Sequence, residues 1–232
     1  MDDLIQGLVQ GGLLLLEGDP TTWAIVSLSL RVSCAALLLS AIVGLPLGAL
    51  IALGHFPGRR LIVALTYTGM GLPPVVVGLF VYLFLSRSGP LGQLNWLFTP
   101  SAMIVAQTLI SLPLVAGFTM AALRGVDPSL PLQLRALGAT RSQIAVTLLW
   151  EARFGVLVAL IAGFGSIISE VGAVMLVGGN IEGATRVLTT AIVLETRKGA
   201  FDLALALALV LLAITFVINA VALQIQQVVV RQ

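Results

Sequence analysis

The sequence is poor in charge, cysteine and histidine, and each shortage excludes something. Asp, Glu, Lys and Arg make up only 9% of the 232 residues, while 59% are hydrophobic. An ordinary soluble domain carries about 25% charged residues. With so few charges and a mean hydropathy of +1.10, the chain cannot cover itself with a water-facing surface and belongs in a bilayer. The single cysteine, Cys34, excludes an internal disulfide and reads as a small buried hydrophobe in an apolar run. The single histidine, His55, has no clustered ligand partners, so no metal site is expected. A net charge of +2, with no basic patch interleaved with aromatics, gives no reason to expect nucleic acid. No G-x-x-x-x-G-K-[ST] phosphate loop is present, so ATP chemistry is not expected in this chain. The first residues are acidic and lack a basic n-region, unlike a cleaved signal peptide. They read as a short amphipathic or interfacial helix ending near Gly18.

What the sequence does have is long apolar runs. A spanning helix needs about 20 mainly apolar residues. Five segments qualify: Trp23 to Leu53, Leu61 to Leu85, Ser101 to Leu123, Phe154 to Val177, and Phe201 to Val221 with apolar residues continuing to Val230. The expectation is an all-α integral membrane protein with about five transmembrane helices, forming one domain over residues 1–232. Orientation follows the positive-inside rule. With the N-terminus outside, Arg59, Arg60, Arg124, Arg135, Arg141, Arg153 and Arg231 fall on the cytoplasmic side, against Arg87, Arg186, Arg197 and Lys198 outside. Asp2, Asp3, Glu17, Asp19, Glu182, Glu195 and Asp202 fall outside, with only Asp127 and Glu151 inside. Both distributions favour N-out and C-in.

That orientation makes residues 124–153 a cytoplasmic loop, and its sequence is ordered. In "DPSLPLQLRALG", Asp127 or Ser129 can cap a helix, and Pro128 or Pro131 suits its first turn. Leu130, Leu134 and Leu137 form one apolar face at helical spacing. Gly138 can end that helix with a positive φ. Thr140 and Gln143 have the spacing of a capping box, which starts a second helix. The pattern predicts two short helices at an angle with Gly138 at the corner, flanked by Arg135 and Arg141. Such a knob suits a partner, although a solvated loop with ordinary positive-inside arginines has the same composition.

"LQLRALGATRSQIAVTLLW" resembles the cytoplasmic coupling loop of importer-type ABC transporter permeases. Arg135, Leu137, Gly138 and Ala139 keep the Arg-x-Leu-Gly-Ala core. The family's acidic-Ala-Ala triplet reads Leu132, Gln133, Leu134 here, and its closing Leu-Pro reads Trp150, Glu151. The resemblance implies that Leu134, Arg135, Leu137, Gly138, Ala139, Thr140 and Arg141 dock into a groove on an ATPase subunit.

A second stretch, "SEVGAVMLVGGNIEG", places Glu170 well inside the fourth span. A carboxylate there costs roughly 2.5–3.5 kcal/mol on insertion scales and faces a bundle interior or a wet cavity. Arg31 lies in the outer part of the first span. The two can pair, or each can be satisfied separately by carbonyls and water. Pro73 and Pro74 interrupt backbone hydrogen bonds in the second span, as Pro46 and Pro113 do elsewhere, and broken helices line transport paths. "RVLTTAIVLE", too short to span, reads as a re-entrant or lid helix near the external mouth.

The second stretch is similar to the Gly-Glu-aromatic-Gly-Ala…Gly-Asn-Ile-x-Gly run of the sulfate, molybdate and tungstate permeases. Glu170, Gly172, Ala173, Gly179, Asn180, Ile181 and Gly183 match in order. "LLWEARFG" at residues 148–155 looks most like the tungstate type, and the resemblance covers nearly the whole chain. It implies the type I importer permease fold in the inner membrane of a prokaryote. It also implies a homodimer in contact with lipid, two cytoplasmic ATPase subunits that hold ATP and Mg, and an extracytoplasmic oxyanion-binding protein. Arg31, Pro73, Pro74, Glu170, Gly172, Gly179 and Asn180 are the candidate path or gate residues. Two other classes compete. An ion-coupled secondary transporter tends to carry several intramembrane carboxylates, where this chain offers one. An intramembrane serine protease built on Ser166 lacks a base within reach.

Overall fold

A computed structural model describes residues 19–230 as helices joined by tight turns, with no strand among them. The expected N-terminal helix ending near Gly18 lies outside the described residues.

The first helix, α1 (Pro20–Leu53), starts at Asp19. The Asp19 carboxylate accepts from the Thr22 hydroxyl and amide, both at 2.7 Å, which holds its pKa below the usual carboxylate value. At the other end, the Arg59 guanidinium donates to the Ile51 and Ala52 carbonyls at 2.7 and 3.1 Å, closing a turn whose acceptors have no helical partner.

Helix α1 runs beside the later helix α4 (Pro100–Arg124) in the same direction. Ala36, Ser40, Gly44 and Gly48, four residues apart, line the buried face. A methyl group at Gly44 would sit 3.0 Å from Val115 Cγ1, and one at Gly48 only 2.6 Å from the Ala116 carbonyl oxygen. The backbones meet because the side chains are small. Ser40 Oγ donates to the Thr108 carbonyl at 3.1 Å and shares a hydrogen bond with Ser111. Such interhelical bonds average about 0.6 kcal/mol, whereas overpacking costs about 1–3 kcal/mol. Close packing therefore dominates this spine.

Two of the expected spans are broken. The second splits into α2 (Arg59–Met70) and α3 (Pro74–Leu85), bent by 101°. Pro73 precedes α3 and Pro74 occupies its first turn, where a missing N–H is harmless. Pro46 and Pro113, by contrast, stay inside α1 and α4. The fourth span was expected to be continuous from Phe154 to Val177. Instead it divides at residues 169–171 into α7 (Arg153–Ile168) and α8 (Gly172–Gly178). Two short helices, α5 (Leu130–Ala136) and α6 (Arg141–Glu151), connect α4 to α7, and α6 meets α7 at 74°. Helices α9 (Leu188–Lys198) and α10 (Phe201–Val230) complete the chain. By length and composition, three helices cross a membrane on their own, and five passes result if each bent pair counts as one.

The two ends of the bundle have separate cores. Ala49, Leu123, Ile144, Leu148 and Ala152 pack at the inner, arginine-rich end. Val81, Leu85, Met103, Val177 and Val187 pack at the outer end. Helix α9 buries Leu188, Thr189, Thr190, Ala191 and Glu195. Leu188 and Ala191 cluster with Val26 of α1 and with Leu207 and Val210 of α10. Val210 is nine residues into α10, so α9 begins about 13 Å below the start of that helix. It is a re-entrant wedge between α1 and α10, not a lid over the mouth. Cys34, expected to be buried, is exposed on the outer face of α1.

Candidate coupling elbow and membrane path

The elbow forms from local chemistry. Ser129 is the N-cap of α5, and the Asp127 carboxylate accepts the Ser129 amide at 2.8 Å. That contact, followed by one to the Ser129 hydroxyl, lowers the Asp127 pKa. Pro131 lies in the first turn. At the far end Gly138 has φ +80°, a left-handed value that a Cβ disfavours. Its amide donates to the Arg135 carbonyl at 3.0 Å, and the Ala139 amide donates to Leu134 at 3.0 Å. This is the Schellman pairing that closes a helix around a glycine. Two residues on, Thr140 accepts the Gln143 amide, and Gln143 Oε1 accepts the Thr140 amide at 2.8 Å. The expected capping box is present.

Leu134 and Ala139 pack onto the inner core, as does Leu130. Leu137 departs from the expected apolar face: it ends α5 and stands 83% exposed at the tip of the elbow. Arg135, Gly138, Thr140 and Arg141 are exposed beside it. Trp150, 71% exposed, adds a second apolar projection near the Arg153 guanidinium, which lies 5.7 Å from the indole centroid.

The membrane candidates gather unevenly. The two broken spans adjoin just beyond Pro73 and Pro74, where Val75 and Gly78 of α3 face Gly172 and Ala173 of α8. A methyl group at Gly172 would sit 2.5 Å from Val75 Cγ2, and one at Gly78 would sit 2.6 Å from Ala173 Cα. Glu170 Oε1 accepts the Ala173 amide at 2.8 Å, capping α8. No Arg31–Glu170 ion pair exists among the described residues; of the two arrangements the sequence left open, Glu170 takes the separate one, with a backbone amide as its partner. Arg31 instead occupies the exposed face of α1, level with the first turn of α4. That level follows from the Gly44–Val115 and Gly48–Thr119 contacts, which pair each α1 position with the α4 position 71 residues later. Gly179 and Asn180 lie at the outer end of α8, both left-handed, at φ +73° and +53°.

The break at residues 169–171 has braces that pattern reading missed. Gln107 of α4, only 3% exposed, donates Nε2 to the Ile167 carbonyl at 3.0 Å. Thr189 of α9 donates to the Glu170 carbonyl at 2.9 Å. The Leu188 amide donates to Ser29 Oγ at 2.8 Å, tying α9 to α1. Gln107 is the only amide side chain in α4, and that was the available signal.

A family model for the binding-protein-dependent transport system inner membrane component matches residues 44–232. The chain belongs to that family. A Haloferax volcanii protein named "Probable anion ABC transporter permease protein" is 45% identical over 202 residues, 85% of this chain and 87% of the relative. The tungstate uptake system permease protein TupB of Peptoclostridium acidaminophilum is 39% identical over 227 residues, 98% of this chain and 100% of its own length. A chain of the inward-facing MetNI methionine ABC transporter superposes with a TM-score of 0.73 at 21% identity, covering 91% of this chain and 98% of that one. That likeness concerns the fold, which is the type I importer permease fold of a multi-pass membrane component.

Proposed function

We propose that this permease is the membrane-spanning subunit of an ATP-driven importer that carries a tetrahedral oxyanion. Tungstate is the favoured cargo, with molybdate or sulfate as the alternative within the same family. The observation that carries the reading is the rigid elbow at Gly138. Its apolar tip, Leu137, stands in water between Arg135 and Arg141 with its backbone hydrogen bonds closed on both sides. A preorganised knob of this kind fits a groove on a cytoplasmic ATPase subunit, which binds ATP and Mg. The substrate follows from the full-length likeness to a tungstate permease.

The elbow connects mechanically to the membrane. Ile144 and Leu148 of α6 pack against Leu123 of α4 and Ala49 of α1, and α6 passes at a 74° bend into α7. Helix α7 ends at the Glu170 break. A push on the elbow is therefore delivered to the place where the span is interrupted. Two copies of the chain would take two ATPase subunits, and an external binding protein would deliver the anion to the outer mouth.

Arg31, Pro73, Pro74, Glu170, Gly172, Gly179 and Asn180 divide in role. The first turn of α3 after Pro73 presents the positive end of a helix dipole on an exposed face beside α8, which favours an anion. The corresponding end of α8 is already capped by Glu170, whose charge would repel the cargo. Glu170 is thus read as a brace of the path and not as an anion ligand. The same capping argues against a secondary transporter, which needs a carboxylate free to carry the coupling ion. Discrimination among oxyanions of equal charge and shape is assigned to the binding protein.

Purification of the chain from its own membranes in mild detergent, with mass spectrometry of what accompanies it, tests the proposal. An ATPase in equal amount is the expected result. A chain that emerges alone under several gentle conditions contradicts it.

A further inference from the structure

Among the described residues, three non-glycine positions adopt left-handed backbone: Asn95, Phe98 and Asn180, at φ +51°, +61° and +53°. Asparagine tolerates this conformation. Phenylalanine does not, and a bulky residue held there marks a position that its surroundings force. The forces are visible. The Phe98 amide donates to the Val177 carbonyl in the last turn of α8 at 2.8 Å. The Phe98 ring covers Gly179 so closely that a methyl group there would sit 2.9 Å from Cδ1. The same ring meets Tyr82 of α3 edge to face, with centroids 6.2 Å apart. Phe98 is nevertheless 43% exposed, and beside it the Asn180 side-chain oxygen is buried without a partner.

Helix α8 is only seven residues long. Its inner end hangs on the break at residues 169–171, and its outer end is held to the segment before α4 by Phe98. We infer that Phe98 is the latch of the outer gate: it holds the outer end of α8 against α3 and α4, and α8 swings about the Glu170 break when the latch opens. The left-handed strain at Phe98 is released on opening, which offsets part of what the latch contacts contribute. The paired glycines before Asn180 then have a reason. Gly178 admits Met103 of α4, whose sulfur would lie 3.0 Å from a methyl group there, and Gly179 admits the ring of Phe98. The inference rests on the importer reading, since an outer gate has meaning only in a transporter.

The test uses a reporter cysteine beneath the latch. Cys34 is exposed and is replaced (Cys34→Ser), and Val177→Cys supplies a thiol at a position that is fully buried when latched. Right-side-out membrane vesicles are treated with a membrane-impermeant maleimide. Phe98→Asn removes the ring and leaves a residue that accepts the left-handed backbone. It is expected to raise the Val177→Cys labelling rate about tenfold by shifting the population toward the open gate. Tyr82→Leu removes the edge-to-face contact alone and should give a smaller rise. It decides the matter if the Phe98 variant does not reach the membrane. A matching Ile167→Cys reporter, buried on the inner side of the break, should stay protected in every variant. Unchanged labelling at Val177→Cys overturns the latch, and so does equal exposure of both reporters, which would mean general loosening. The ATPase that co-purifies from the same vesicles reports on the importer reading independently of the labelling.

Discussion

Gly138 and Gly172 both sit where a side chain is disfavoured, for opposite reasons. Around Gly138 there is open space, and a Cβ would meet no atom within 4 Å; its constraint is φ +80° alone. Gly172 has no left-handed angle, yet a Cβ there would strike Val75 Cγ2 at 2.5 Å. The elbow is held by bonds among residues six or fewer positions apart, such as Ala139 to Leu134 and Thr140 to Gln143. The broken span is held by partners from distant segments: Val75, Gln107 and Thr189. One region has its turn closed by bonds among near neighbours in the chain. The other is a joint whose braces come from three helices.

The contrast can be broken experimentally. The largest effect is expected at the joint. Gly172→Val forces the α3–α8 contact apart at a cost of about 3 kcal/mol, and the chain should be scarce in membranes by immunoblot, with uptake lost. Gly138→Val should behave differently. The strain is local, about 1–2 kcal/mol, so the chain reaches the membrane while the elbow loses its turn. Uptake then falls and ATP hydrolysis by the complex persists. Normal uptake in that variant would remove the case for an elbow at Gly138.

Smaller effects sharpen the account of the joint. Gln107→Leu removes one brace from the Ile167 carbonyl, which keeps its bond from the Glu170 amide at 3.2 Å. A loss of about 1 kcal/mol is expected, read as a fall of about 2–4 °C in the melting temperature of the detergent-solubilised chain. The smallest effect concerns Arg31 and Glu170. Because Glu170 caps α8 and Arg31 stands on another face, exchanging the two charges should show no recovery over the single changes, with a coupling energy near zero in a double-mutant cycle. Recovery in the double variant would revive the pair.

The same division governs what was legible in the sequence. The elbow could be read because glycine C-caps, capping boxes and proline first turns are encoded within a few neighbouring residues. The five apolar runs were likewise readable, with ends within a few residues of the observed helices. The break at Glu170 was not, since "GFGSIISEVGAVMLVGG" is apolar on both sides of Ser169 and Glu170 apart from Ser166, and no proline marks the interruption. It exists because Glu170, Gln107 and Thr189 supply the hydrogen bonds that an interrupted helix gives up. Their convergence depends on bonds that span 60 and 19 positions of the chain. The choice between a paired and a separate Arg31 and Glu170 was open for the same reason: similar depth in the membrane does not say whether two groups lie on facing surfaces. Leu137 failed locally, because it is the C-cap just past the end of α5 and stands at the tip, beyond the core that Leu130 and Leu134 reach.

The most direct test of the central claim is transport itself. The purified complex in proteoliposomes, supplied with its external binding protein and ATP, should accumulate labelled tungstate. Accumulation should stop without ATP, and excess unlabelled molybdate or sulfate should compete less well than unlabelled tungstate. ATP-independent accumulation that follows an ion gradient, or no oxyanion uptake with all subunits present, would contradict the account.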